Sequence, residues 1–176
     1  ITKWNFQTPS EEELHKRDRL ASQLGLSPVV CLLLVQRGLT TVEEVKKFFK
    51  PSLNDLHDPF LMPDMEKAVK RLNKALGNKE KILIYGDYDV DGTTAVSLVY
   101  KYLRPYSSAL DYYIPDRYDE GYGISYKGIN YARENGITLV ISLDCGIKAI
   151  EKIEYAKQLG IDFIICDHHM PDDTLP

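Results

Sequence analysis

Residues 82–94 read ILIYGDYDVDGTT, an apolar run followed at once by three aspartates that alternate with other residues. The apolar run predicts a buried strand, and the residues after Gly92 predict a helix over 93–103. Asp87, Asp89 and Asp91 carry like charges two residues apart, and such charges repel one another. The stretch therefore indicates either a solvated loop or a site that holds a cation.

The pattern of this stretch continues to the end of the chain, where apolar and amphipathic segments alternate. The predicted strands are 81–86, 109–114, 137–144 and 161–167, and the predicted helices are 93–103, 125–136 and 146–160. The strand segments are apolar throughout, which is typical of a parallel sheet that is covered on both faces. We therefore predict an α/β fold with a parallel, Rossmann-like sheet and helices on both of its faces.

The first part of the chain has a different pattern. Residues 9–75 lack strand periodicity, and serine caps, glycine stops and Pro51 delimit helices in this region. The proline-rich and aspartate-rich segment 51–64 is predicted to be an ordered linker before a further helix at 65–77. We predict a small helical N-terminal region with its linker over residues 1–78, and the α/β domain over residues 79–176.

Composition sets limits on the class of protein. The chain has 176 residues, of which 44% are hydrophobic and 27% charged, an ordinary globular balance. It contains no apolar run long enough to span a bilayer, and ITKWNFQTPSEEE at its start lacks the pattern of a secretion signal. We expect a soluble cytoplasmic protein without a membrane partner.

Cysteine spacing and charge narrow the possible sites. Cys31, Cys145 and Cys166 lie far apart without CxxC spacing, which argues against a disulfide framework and a zinc site and favours small buried residues. Residues 81–176 hold 15 acidic and 9 basic side chains, a net charge of −6. Bound divalent cations would offset part of that charge, so it neither excludes nor supports a phosphate-rich substrate.

Acidic and imidazole side chains follow three of the four predicted strands. They are Asp87, Asp89 and Asp91 after the first strand, Asp144 after the third, and Asp167, His168 and His169 after the fourth. Right-handed crossovers bring the carboxyl ends of parallel strands to one edge, so these groups are expected to converge on one crevice. Taken singly, each has a simpler explanation, since Asp91 or Asp144 is also suited to cap the helix that follows it.

The chemistry of the cluster favours a divalent cation. Carboxylates with imidazole and without thiolate suit Mn²⁺ or Mg²⁺, and the number of carboxylates favours two ions. Two ions about 3.5–4 Å apart stabilise an in-line displacement at phosphorus. The sequence DVDGT at 89–93 also fits the loop of haloacid-dehalogenase-like phosphatases, with Asp89 as nucleophile and Asp91 as acid/base. Against that alternative, Gly86, Asp87 and Tyr88 separate the motif from its strand, and such enzymes have no use for a later Asp-His-His.

Three motifs taken together resemble a known family. GDYDVDGTT at 86–94, SLDCG at 142–146 and DHHMP at 167–171 are similar to the motifs of the DHH phosphoesterases, which are named for their Asp-His-His. Within that family, segments 51–72 and 114–125 resemble those of exonucleases specific for single-stranded DNA. The resemblance implies Mn²⁺- or Mg²⁺-dependent phosphodiester hydrolysis that releases nucleotides from the 5′ end of single-stranded DNA. It also implies a role in DNA repair and recombination, with other repair proteins as partners.

The resemblance assigns roles to individual residues. It implies metal ligands at Asp87, Asp89, Asp91, Asp144 and His168, catalytic roles for Asp89, Asp91, Asp144, His168 and His169, and substrate contacts at Arg117, Gly121, Tyr122, Gly123 and His169. Asp144 is expected to bridge the ions, and Asp167 is expected to support the site. The alternative for the 117–123 segment is a tight glycine-rich loop with a structural salt bridge.

The chain also departs from the family pattern. Tyr85 stands where many members carry a histidine ligand, so Asp87 is the expected replacement. A fourth metal-binding aspartate and a substrate-gripping domain are expected after Pro176, so we expect an N-terminal fragment with weak or no activity of its own. Two further alternatives remain besides the phosphatase. They are a family enzyme acting on short RNA, cyclic dinucleotides or pyrophosphate, and a non-catalytic scaffold that binds DNA.

Overall fold

The computed structural model describes residues 8–176 of the chain. The chain divides into two compact units, Ile1–Pro59 and Phe60–Pro176. Residues 1–7, part of the N-terminal stretch in which the sequence predicts no secretion signal, lie outside the described residues. Within residues 8–176, no helix is both long enough and apolar enough to cross a membrane.

The first unit is helical, as the sequence predicts. Its elements are α1 (Glu11–Leu24), α2 (Pro28–Gln36), α3 (Val42–Phe49) and a 3₁₀ turn at Leu53–Asp55. Capping boxes begin α1 at Ser10 and α3 at Thr41. In each box the hydroxyl accepts a hydrogen bond from a backbone N–H, and the side chain of the glutamate three residues later accepts one from the N–H of the capping residue. The core of the unit is apolar and consists of Leu20, Cys31, Leu34, Val35 and Val45.

The second unit is built on a four-stranded parallel sheet. After a 3₁₀ turn at Pro59–Leu61, its elements are α4 (Met65–Gly77), β1 (Ile82–Gly86), α5 (Val90–Leu103), β2 (Leu110–Tyr113), α6 (Tyr126–Glu134), β3 (Leu139–Leu143), α7 (Ile150–Gln158) and β4 (Asp162–Cys166). The strand order is β2-β1-β3-β4, and all neighbours pair in parallel. The predicted α/β fold class is confirmed.

Helices cover both faces of the sheet, because successive residues of a strand point to opposite sides. On one face Ile82 and Ile84 pack with residues of α4 and α5, whereas on the other Leu83 and Tyr85 pack with residues of α6 and α7. All five residues of β1 are buried. Burial on both faces explains why the sequence of β1 is an unbroken apolar run.

The helix α4 belongs to the second unit. Ala75 is fully buried in the core cluster of Ile82 and Ile84. Arg71 also connects α4 to the sheet, since its guanidinium forms ion pairs with Glu80 at 2.7 Å and with Asp162 at 2.5 Å. The division of the chain after Pro59 therefore falls before α4, whereas the predicted boundary at 78/79 falls after it.

Two helices begin at residues other than those predicted. The helix α5 begins at Val90 because Asp89 is its cap, with Oδ1 accepting from the Gly92 N–H at 2.9 Å. Asp91 therefore does not cap this helix. The helix α7 begins at Ile150, and no side chain among residues 8–176 caps it, so Asp144 does not form the cap that was its simpler alternative explanation.

Candidate metal centre

Three strands end at the same level of the sheet, and an aspartate follows each of them. Gly86 of β1 pairs with Leu143 of β3, and Leu143 pairs with Cys166 of β4. Asp87, Asp144 and Asp167 are the next residues in the three strands. The chain runs from β1 outward to β2 and then returns to place β3 on the other side of β1, which is the point where parallel sheets form a crevice for ligands.

Asp144, His168 and His169 form a compact group of possible metal ligands. One potential ligand atom from each lies within 4.8 Å of the others, and His168 Nε2 is 3.0 Å from Asp144 Oδ1. The Asp144 backbone has a φ of 60°, in the left-handed region that costs a non-glycine residue about 1–2 kcal/mol. Its N–H donates to the Cys166 carbonyl at 2.8 Å, so sheet pairing holds the strained residue in place.

Asp87 provides a buried carboxylate at the same edge. Its side chain is fully buried, Oδ1 accepts one long hydrogen bond of 3.4 Å from the Gly123 N–H, and Oδ2 has no hydrogen-bond partner within residues 8–176. Burial raises the pKa of Asp87, and the charges of Asp89 and Asp144 raise it further. A buried carboxylate oxygen without a partner is costly, and a cation would satisfy it.

Gly92 brings α5 against the Asp87 backbone. A Cβ at Gly92 would lie 2.4 Å from the Asp87 carbonyl oxygen and 2.6 Å from its nitrogen. Only a residue without a side chain permits this approach, which begins the helix directly behind the loop. Gly92 therefore lies inside the first turn of α5, where it contacts the loop that carries Asp87.

The other two aspartates of the first motif differ in position. Asp89 caps α5, and its charge contributes to raising the pKa of Asp87, Tyr122 and His169, so it lies near all three. Asp91 lies exposed in the first turn of α5, outside the group formed by Asp144 and the two histidines.

Asp167 is buried behind His169 and orients its ring. Oδ2 accepts from the Ile147 N–H at 2.9 Å, while Oδ1 accepts from His169 N at 3.1 Å and His169 Nδ1 at 2.7 Å. Burial opposes ionisation of Asp167, but these hydrogen bonds prevail and lower its pKa. The hydrogen bond to Asp167 in turn raises the pKa of His169. Since a carboxylate only accepts, Nδ1 is the donor, and Nε2 faces the Tyr122 hydroxyl at 3.3 Å.

A band of aromatic rings leads from Arg117 to the histidines. The Arg117 guanidinium lies 5.4 Å from the Tyr88 ring centre, Tyr88 meets Tyr122 edge to face at 6.0 Å, and Tyr122 meets His169 at 6.1 Å. Partial burial and the nearby carboxylates raise the pKa of Tyr122 to about 12. Sequence reasoning missed Tyr88, although its place between two candidate ligands was a usable signal.

The remaining predicted substrate residues lie in the loop that carries Tyr122. Gly121 and Gly123 have φ values of 78° and 80°, which glycine adopts at little cost. Within residues 8–176 Arg117 makes no ion pair, but Asp119 of the same segment pairs with Lys127 at 2.8 Å, so the segment does contain a salt bridge, which is the feature of its structural alternative. A pocket of about 450 Å³ adjoins Tyr122 and His169, and Lys148 and Lys152 contribute to its lining.

Tyr85 does not lie with the candidate ligands. Its ring is buried on the α6 and α7 face, and its hydroxyl bonds to the backbone of Gly123 and Ser125.

Of the three cysteines, Cys31 and Cys145 are buried as expected, whereas Cys166 is exposed because β4 is an edge strand. Burial raises the pKa of Cys145 to about 12, so this neighbour of Asp144 is a thiol. The donor set of carboxylates and imidazoles therefore fits Mn²⁺ or Mg²⁺.

Comparison with known proteins points to one family. Residues 81–176 match the DHH family, N-terminal domain. Among curated relatives, the single-stranded-DNA-specific exonuclease RecJ of Bacillus subtilis is 41% identical over 99% of this chain and 22% of the relative. RecJ of Escherichia coli is 35% identical over 86% of this chain and 26% of the relative. The chain thus spans about a quarter of the length of these relatives.

Solved structures show the same likeness. A crystal structure of exonuclease RecJ bound to manganese is 30% identical, with a TM-score of 0.60 over 66% of this chain and 30% of that protein. RecJ of Thermus thermophilus in complex with Mn²⁺ is 24% identical, with a TM-score of 0.67 over 93% of this chain and 22% of that protein. The second likeness concerns the fold alone.

Proposed function

The chain belongs to the DHH family, and on that premise we propose that it carries the metal-binding part of a 5′-to-3′ exonuclease acting on single-stranded DNA. The observation that carries the proposal is the convergence of Asp87, Asp144 and His168 at one sheet edge, where Asp87 Oδ2 is buried without a hydrogen-bond partner among residues 8–176. The names of the RecJ relatives support the substrate, and the manganese in the RecJ crystal structure that is 30% identical supports Mn²⁺ as the cofactor.

In the proposed site each residue has a distinct task. Bound Mn²⁺ or Mg²⁺, in one or two ions, would supply Lewis-acid chemistry at the phosphodiester. The metal ligands would be Asp87, Asp89, Asp91, Asp144 and His168. Asp167 fixes the ring of His169 so that Nε2 is presented to the substrate side together with the Tyr122 hydroxyl.

Single-stranded DNA would enter along the band of aromatic rings. Arg117 carries a positive charge without a carboxylate partner in the described part of the chain, which suits a phosphate. Tyr88 and Tyr122 offer ring faces and edges on which bases stack, and Gly121 and Gly123 let the backbone approach the strand. The proposed substrate is therefore single-stranded DNA. The proposal also includes the cytoplasm as the location and other DNA-repair proteins as partners.

A nuclease assay on the full-length protein tests this function. We expect Mn²⁺-dependent release of nucleotides from the 5′ end of a single-stranded oligonucleotide, and loss of at least about a hundredfold in rate with Asp144→Asn. Asp172→Asn is the matched control, because Asp172 pairs with Lys148 on the surface and is not a proposed ligand. Absence of hydrolysis by the wild-type protein with either metal would overturn the proposal.

The choice of substrate separates the alternatives. Faster hydrolysis of short RNA, cyclic dinucleotides or pyrophosphate than of single-stranded DNA would favour a different enzyme of the family. Binding of DNA without hydrolysis would favour a scaffold. The phosphatase alternative makes Asp89 a nucleophile and predicts a phosphoenzyme in the wild type that Asp89→Asn abolishes, whereas the proposed exonuclease forms no phosphoenzyme. Asp89 Oδ1 accepts from the Gly92 N–H at 2.9 Å.

A further inference from the structure

The Tyr85 hydroxyl joins the central strand to a loop 38 residues later. It donates to the Gly123 carbonyl at 2.9 Å and accepts from the Ser125 N–H at 3.1 Å. The side chain is 1% exposed, and burial raises the pKa of its hydroxyl, so the proton needed for the first bond stays in place. One buried hydroxyl therefore satisfies two buried backbone groups that face each other across this loop.

A second set of bonds ties the same loop, residues 114–125, to the neighbouring strand. The Tyr113 hydroxyl donates to both oxygens of Glu120, at 3.0 and 2.9 Å, and Glu120 also accepts from the Asp116 N–H and the Ser125 hydroxyl. The rings of Tyr113 and Tyr85 stack with centres 5.4 Å apart. Two adjacent strands thus hold the 114–125 loop through two stacked tyrosines.

The helix that follows the loop is shaped to admit the Tyr85 ring. Ser125 caps α6, with its hydroxyl accepting from the Gly128 N–H at 2.8 Å. A Cβ at Gly128 would lie 2.6 Å from the Tyr85 ring and 3.1 Å from the Tyr113 ring. The start of α6 and the two tyrosines therefore fit together only with glycine at this position.

The far side of the loop touches the candidate metal centre. The Gly123 N–H points to Asp87 Oδ1 at 3.4 Å, and the Tyr122 hydroxyl lies 3.3 Å from His169 Nε2. The Gly123 residue thus bonds to Tyr85 through its carbonyl and to Asp87 through its N–H. Movement of the loop at Tyr85 would be passed to both contacts.

We propose that Tyr85 is a positioning residue, whose hydroxyl fixes the 114–125 loop so that Tyr122 and Gly123 meet His169 and Asp87. Tyr85 occupies the position at which the family pattern suggested a metal ligand. It would then act on the metal centre indirectly, through the backbone of the 114–125 loop. The effect on catalysis rests on the proposed function, whereas the effect on the loop does not.

The effect on the loop is tested in the 176-residue chain by amide NMR. Tyr85→Phe removes only the hydroxyl, and we expect the Tyr122 and Gly123 amide resonances to shift or broaden while those of α4 stay in place. Tyr155→Phe is the matched control, because it deletes a half-buried hydroxyl that donates to Asn130 of α6 at 2.8 Å rather than to the 114–125 loop. Unchanged Tyr122 and Gly123 resonances in Tyr85→Phe would overturn the proposal.

The effect on the reaction is tested in the full-length protein by kinetics. We expect Tyr85→Phe to raise KM for a single-stranded oligonucleotide about tenfold, the equivalent of one lost hydrogen bond, with a smaller change in kcat. In a double-mutant cycle with Tyr122→Phe, the two effects on KM should combine to less than their product, because both act through one loop. Independent effects that multiply fully would overturn the proposal.

Two further results keep the tests separate. A wild-type protein without nuclease activity would contradict the proposed function, and the NMR comparison would still decide the role of Tyr85. Should Tyr85→Phe fail to fold, Tyr113→Phe removes the hydroxyl that donates to Glu120 and is expected to shift the same loop resonances. A folded Tyr113→Phe with unchanged loop resonances would then count against the proposal.

Discussion

Replacing Gly92 with alanine tests how closely α5 must approach the loop that carries Asp87. The added Cβ would lie 2.4, 2.6 and 2.8 Å from the carbonyl oxygen, nitrogen and carbonyl carbon of Asp87. All three are backbone atoms, so no side-chain rotation relieves the overlap. Either the first turn of α5 or the Asp87 loop has to move, and both carry candidate ligands.

The expected magnitude follows from two opposing effects. Overpacking of a buried site costs about 1–3 kcal/mol, and backbone contacts place Gly92→Ala at the upper end of that range. The greater helix propensity of alanine offsets about 1 kcal/mol. The net loss is about 2 kcal/mol, which corresponds to a fall of roughly 6–12 °C in Tm for a unit of this size.

The assay is thermal unfolding followed by circular dichroism, with and without Mn²⁺. Gly77→Ala is the matched control, since Gly77 ends α4 and a Cβ there would meet no neighbouring atom of residues 8–176 within 4 Å. We expect the control to keep or raise Tm and to keep the stabilisation by Mn²⁺, which is about 2.7 kcal/mol at 100 times Kd. Gly92→Ala with a Tm within about 2 °C of the wild type and a full Mn²⁺ response would refute the reasoning.

Two further predictions concern the metal and pH. The rise in Tm on adding Mn²⁺ should disappear in Asp144→Asn and survive in part in the exposed Asp91→Asn, and equal losses in both would contradict the ligand geometry. Hydrogen bonds from Thr138 and Arg71 lower the pKa of Glu80 in the folded chain, so its contribution to stability is present above the unfolded value of about 4.5 and is lost as the pH falls through the folded pKa. The difference in urea-unfolding free energy between the wild type and Glu80→Gln should therefore shrink from pH 6 to pH 3, and a constant difference would argue against this network.

The strands and the edge they share were predictable because their signals are local. Unbroken apolar runs mark buried strands, and parallel pairing then places Asp87, Asp144 and Asp167 together without further information. The family resemblance was likewise carried by short motifs. These features depend on residues that are adjacent in sequence, and a sequence pattern records such adjacency directly.

Features that depend on contacts between distant residues were not predictable. The cap of α5 is Asp89 and not Asp91, because the contact of Gly92 with the Asp87 backbone decides where the helix begins. The position of Tyr85 suggested a ligand, yet its hydroxyl bonds to residues 38 and 40 positions later. Local pattern carries no record of such a distance, and tertiary packing alone decides it.

The strand order has a consequence for how the protein matures during synthesis. The central strand β1 pairs with β2 and β3, and β4 pairs with β3 at the edge of the sheet. Parallel pairings between distant segments form slowly, because each closes a long loop before any contact rewards it. Asp87 comes with β1, Asp144 with β3, and Asp167 with both histidines only with β4. If these residues hold a cation as proposed, Asp87, Asp144 and the two histidines can meet around it only after β4 has paired with β3.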